Sequence, residues 1–79
     1  MEYRIRYRSA AVKYLDRQTD ATRRRILNAI DELPNGNVLK LTNRPGYRLS
    51  VGNYHVLFDY EGSDTIFVTA IGLRGDVYK

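Results

Sequence analysis

The sequence has no cysteine, no tryptophan and a single histidine, and only two of its 79 residues are proline. Without thiols there is no disulfide framework, no thiolate metal site and no cysteine nucleophile, so stability must come from packing. Long apolar runs are missing too. The opening MEYRIRYRS alternates charged and apolar residues, and no later stretch approaches the length of a membrane span. These absences read as a soluble cytoplasmic protein with no membrane partner. Acidic residues are few, nine against thirteen Lys and Arg, for a formal net charge of +4. That balance suits a polyanion or an acidic partner, or simply a soluble basic surface. The excess comes early: Met1 to Arg25 holds eight positive and three negative residues, whereas Asp59 to Lys79 holds two positive and four negative.

A chain this short has room for one thin hydrophobic core, so residues 1–79 read as one domain. Tyr3, Ile5 and Tyr7 alternate with Arg4, Arg6 and Arg8, the period of a strand with one buried and one cationic face. Ser9 is placed as the N-cap of a helix from Ala10 to about Arg17, with Ala11, Val12 and Leu15 at helical spacing. Thr19 or Asp20 caps a second helix whose stripe is Ile26, Leu27, Ile30 and Leu33, ended by Pro34-Asn35-Gly36. Val38 to Pro45 reads as a connecting loop. Strands then follow at 47–51 and 54–60, joined by a Gly52-Asn53 turn, and a third runs from Thr65 to Ile71. The expectation is an α+β fold: an N-terminal strand, an antiparallel helix hairpin, and a three-stranded antiparallel meander with the helices on one face. The opposite face would carry Arg48, Ser50 and His55. Tyr3, Tyr7, Tyr47, Tyr54 and Tyr60 read as core aromatics with hydroxyls at the rim. Leu73 to Lys79 reads as a polar tail of undefined shape.

One hairpin carries a family resemblance. Gly46-Tyr47-Arg48-Leu49-Ser50-Val51-Gly52-Asn53-Tyr54-His55-Val56-Leu57-Phe58 resembles the signature YRLRVGDYRVIY of the RelE/ParE superfamily, small bacterial toxins of type II toxin-antitoxin systems. The ending Ala70-Ile71-Gly72-Leu73-Arg74-Gly75-Asp76-Val77-Tyr78 is similar to that family's IGHRRDVY, and the likeness covers essentially the whole chain. The RelE-like branch implies an endoribonuclease that cleaves mRNA on the ribosome, contacting rRNA, with no cofactor or metal, held in check by an antitoxin protein. The resemblance places Arg48, Arg74 and Tyr78 at functional positions. Ser50 stands where the family's nuclease has a lysine, His55 where it has an arginine, Leu73 where many relatives have histidine, and Gly75 where many have arginine. ParE-like relatives inhibit DNA gyrase without the nuclease residue set, which gives a second reading. A degenerate antitoxin-binding module is a third.

Cleaving RNA without a metal requires a base for the 2'-hydroxyl, cations for the charged phosphorane and an acid for the departing 5'-oxygen. Arginine is no base at neutral pH, but its planar fork pairs with two phosphate oxygens, which assigns Arg48 and Arg74 to charge stabilisation. His55 is the side chain that titrates near neutrality and so the candidate base or acid. The alternative is a hydrogen-bonded residue on an exposed sheet face. Tyr78 stacks on a base or relays a proton, or else anchors the tail. Arg4, Arg6 and Arg8 would form a row about 7 Å apart for phosphates or an acidic antitoxin, or a solvated strand face. Arg23, Arg24 and Arg25 open the second helix, where cations oppose its dipole by about 0.3 to 1 kcal/mol. They are candidates for rRNA phosphate, or else a solvated face pairing toward Asp31 and Glu32. With Ser50, these six arginines complete the candidate RNA-binding set.

Overall fold

The computed structural model describes residues 2–78. The elements are β1 (Arg4–Tyr7), α1 (Ser9–Asp16), α2 (Asp20–Asp31), β2 (Val38–Lys40), β3 (Tyr47–Val51), β4 (Tyr54–Glu61) and β5 (Thr65–Leu73). They build one five-stranded sheet in the order β1-β5-β4-β3-β2. Neighbours are antiparallel except β1, which runs parallel to β5 with Ile5 opposite Ile66. The expected α+β class, the helix pair and the three strands from Tyr47 onward are all present.

The hydrophobic pattern explains which face the helices cover. Leu49, Val51, Val56, Phe58, Ile66, Val68 and Ile71 point to one side of the sheet and are buried there. Ala11 and Leu15 from α1 and Ile26 and Ile30 from α2 close that side. Helix α1 packs on β5 and helix α2 on β3. The tyrosines Tyr3, Tyr7, Tyr47, Tyr54 and Tyr60 rest half-buried around this core, as expected of amphipathic rings at a rim. Burial raises the Tyr7 and Tyr60 hydroxyls above their ordinary pKa, so both stay protonated and structural.

Several local expectations need correction. The loop placed at 38–45 begins with a strand: β2 pairs antiparallel with β3, Leu39 opposite Arg48, which makes the meander four-stranded. Three residues at a sheet edge, with Leu39 54% exposed, leave no alternation to read. Ser9 is the first helical residue and not the cap; Arg8 occupies the cap position, and no side chain caps the helix there. Val12, expected on the buried stripe, is 43% exposed. At α2 the choice falls on Thr19, whose hydroxyl accepts the Thr22 N–H. Strand β5 runs on to Leu73. It also carries a bulge, since Leu57 faces Ala70 while Phe58 faces Val68, leaving Thr69 as the inserted residue. The tail has a defined shape. Asp76 and Val77 donate to the Leu73 carbonyl, and this turn folds the chain back toward the sheet.

Candidate active site

The sheet face away from the helices carries the polar set. In the β3–β4 hairpin Ser50 stands opposite His55, and across β4 His55 stands opposite Gly72 of β5. Arg48, two residues from Ser50, lies on the same face by strand alternation. The backbone N–H of Arg74 donates to the Asn53 carbonyl at 2.8 Å, which fixes the end of β5 beside the hairpin turn. Asn37, Arg48, Ser50, Gly52, His55 and Arg74 line a cleft of about 250 Å³.

The returning tail completes the cluster. The Tyr78 hydroxyl lies 3.2 Å from His55 Nδ1 and 3.5 Å from Arg48 Nη1, which donates to it. The two rings meet edge to face, with centroids 5.8 Å apart. Gly72 makes this return possible. A Cβ there would come within 3.2 Å of the Val77 Cβ, so a side chain at this position would push the tail outward by a few tenths of an ångström. Thus Arg48 and His55 from the hairpin and Arg74 from the end of β5 share one cleft with Ser50 on its wall, and Tyr78 joins them through His55 and Arg48.

Electrostatics fits the histidine for a particular role. Burial first, then the charges of Arg48 and Arg74, hold His55 below the ordinary imidazole pKa. It is therefore neutral near pH 7 and free to accept a proton. Arg48 Nε is buried with no hydrogen-bond partner. An orphaned guanidinium N–H of this kind is costly unless an acceptor arrives, and in a cationic cleft the matching acceptor is an anionic oxygen. Among the described residues no group of three His, Asp or Glu side chains converges to hold a metal ion.

The other candidate arginines divide. Arg25 does not line the cleft, but its guanidinium lies over the β3–β4 turn, where a Cβ on Gly52 would meet Nη2 at 2.5 Å. Arg24, one residue earlier, is exposed on a different side of α2. Arg23 is used internally: it donates to the Leu15, Asp16 and Gln18 carbonyls at the end of α1 and pairs with Asp20 at 2.7 Å. Its acidic partner is Asp20 and not Asp31 or Glu32. Arg6 and Arg8 both lie over the Phe67 ring, at 5.1 and 5.8 Å, and Arg6 also pairs with Glu61, while Arg4 is exposed at the sheet edge. This row shares the open face but lies toward β1, away from His55.

Three contributors escaped sequence reading. Asn37 enters through the unforeseen β2 edge, Gly72 acts through what it lacks, and Arg44, on the loop after β2, lies 6.0 Å from the Tyr78 ring. A larger hollow, about 750 Å³, lies elsewhere, between Tyr3, Leu33 and Pro34. Its charged residues are Glu2, Asp31 and Glu32, the wrong sign for a polyanion, and the catalytic candidates are absent from it.

No family profile and no curated protein sequence matches the chain. A solved structure does, and it defines the class: the chain is RelE-like in fold over essentially its whole length. The match is to a chain of the archaeal RelE-RelB complex from Pyrococcus horikoshii OT3, at 26% identity and a TM-score of 0.74, covering 98% of this chain and 100% of that one. The relative is archaeal, whereas the sequence resemblance was to bacterial toxins.

Proposed function

We propose that this protein is the toxin of a type II toxin-antitoxin pair and a cytoplasmic, ribosome-dependent endoribonuclease that cleaves mRNA. The observation that carries the reading is the convergence of a neutral histidine, a phenol hydroxyl and two arginines on one cleft. Its chemistry is acid–base cleavage. Neutral His55 takes the proton of the 2'-hydroxyl, whose oxygen forms a bond to phosphorus. Arg48 and Arg74 pair with the non-bridging oxygens as charge builds in the phosphorane. The bond from phosphorus to the 5'-oxygen breaks, and Tyr78 supplies the proton that oxygen needs. The contact between His55 Nδ1 and the Tyr78 hydroxyl then returns the proton and restores both groups. An antitoxin partner is supported by the neighbour having been solved as a RelE-RelB complex. A net acidic segment would suit the arginine-rich open face.

Tightly controlled expression with mapping of mRNA 5' ends tests the reading. New ends within coding regions, lost with Arg48→Ala and with Arg74→Ala, are expected. Growth arrest with intact mRNA would instead point to another target such as DNA gyrase.

A further inference from the structure

A second hollow of about 290 Å³ opens on the same sheet face, next to the cleft, and the mechanism above does not use it. Its walls include Arg8, Arg44, Leu57, Asp59 and Thr69. Leu57 follows His55 by two residues on β4, so the hollow begins roughly 7 Å along the strand from the catalytic histidine. Arg44 stands at the boundary, lining the hollow while its guanidinium reaches toward the Tyr78 ring. The β5 bulge shapes the floor. Thr69 is the extra residue, and its hydroxyl donates to the Leu57 carbonyl at 3.2 Å. Bulges recur beside active sites because they redirect side chains.

Two features suggest what the hollow accepts. Its size is at the lower limit for small-molecule pockets, enough for a single flat group. Its charge is mixed: Arg8, braced over the Phe67 ring, and Arg44 supply cations on either side, and Asp59 places one carboxylate among them. Asp59 stands opposite Phe67 in the sheet, and its Oδ1 accepts the Tyr60 N–H at 2.8 Å, which holds the side chain in place. A carboxylate would repel an acidic peptide docked here. It would instead accept a hydrogen bond from a base amino group while the arginines hold the flanking phosphates.

We propose that this hollow is a base-reading subsite for the nucleotide next to the cleaved phosphodiester, in which Asp59 selects a base bearing an exocyclic amino group over uracil. The proposal rests on the nuclease reading for its biological setting, but its test does not depend on cleavage. Binding of 2'-O-methyl oligoadenylate, oligocytidylate and oligouridylate, which lack the attacking hydroxyl, would be measured by fluorescence anisotropy. The 5' ends of cleaved mRNA would be mapped in parallel. Wild-type protein is expected to favour adenine or cytosine over uracil about tenfold in both assays, the size of one good base contact. Asp59→Ala should level that preference, and Arg8→Ala should weaken binding to all three oligonucleotides alike. Uncut mRNA together with Asp59-dependent binding would sink the nuclease reading and leave the subsite standing. Cleavage with an unchanged base profile in Asp59→Ala would sink the subsite and leave the nuclease. If Arg8→Ala and Arg44→Ala weaken only antitoxin capture, the hollow belongs to a protein partner and the proposal is wrong.

Discussion

The hydroxyl of Tyr78 lies 3.2 Å from Nδ1 of His55, joining the last described residue of the chain to the start of β4. Together they make a proton donor and a proton acceptor in contact, inside a cleft where Arg48 and Arg74 supply positive charge.

Gly72 controls that contact. Because a Cβ there would lie 3.2 Å from the Val77 Cβ, Gly72→Ala should shift the tail by a few tenths of an ångström and lower RNA cleavage severalfold, less than the roughly 10²-fold that a misplacement near 1 Å costs. Strand interiors tolerate alanine better than glycine, so the melting temperature should stay close to that of the wild type. Adding Val77→Ala should recover part of the lost activity. Single-turnover cleavage rates of the two variants check this.

The depressed pKa of His55 makes a signed prediction about stability. The folded chain binds this proton at lower pH than the unfolded chain does, so the unfolded state holds more protons between the two values. The stability that the neutral imidazole contributes is therefore complete above about pH 6.5 and is lost as pH falls from there toward the folded value. Thermal unfolding across that window should show the decline in the wild type, and His55→Gln should reduce it. Arg48→Ala should raise the His55 pKa, visible as a shifted imidazole titration by NMR.

Arg23 should matter for stability and not for RNA. Removing its guanidinium leaves the last carbonyls of α1 without their donors, at a cost of about 1 kcal/mol. Arg23→Ala should therefore lower the melting temperature by roughly 4–8 °C in a domain of this size. Its cleavage sites should match those of the wild type, whereas Arg25→Ala, beside the Gly52 turn, should reduce RNA affinity.

Ile26 is fully buried between the helix pair and the sheet, and Ile26→Ala should cost about 2–5 kcal/mol. That is a large share of the roughly 5–15 kcal/mol that stabilises a typical domain. Urea denaturation measures it directly.

The strand period of Tyr47 to Val51 was legible because Leu49 and Val51 are buried while Arg48 and Ser50 are polar, whereas in β4 His55 and Leu57 are buried on the open face as Val56 and Phe58 are on the other, so there the alternation shows only in residue type. That same alternation put Arg48, Ser50 and His55 on one face. The sequence was silent where geometry is set by tertiary contact. Burial of His55 to 6% exposure depends on a tail that folds back with Val77 packed closely over Gly72, and no local period records that. The β2 edge is three residues long, too short to leave a pattern. The three consecutive arginines at 23–25 look equivalent in sequence. Helix rotation sends one to the α1 carbonyls, one to solvent and one over the β3–β4 turn.

The chemistry of the cut ends tests the proposed mechanism most directly. Purified protein would be incubated with ribosomes carrying a defined mRNA, and the termini of the fragments identified. Attack by the 2'-oxygen with protonation of the 5'-oxygen predicts 2',3'-cyclic phosphate and 5'-hydroxyl ends, lost in His55→Ala and in Arg48→Ala. Intact mRNA, or fragments ending in 5'-phosphate and 3'-hydroxyl, would contradict it.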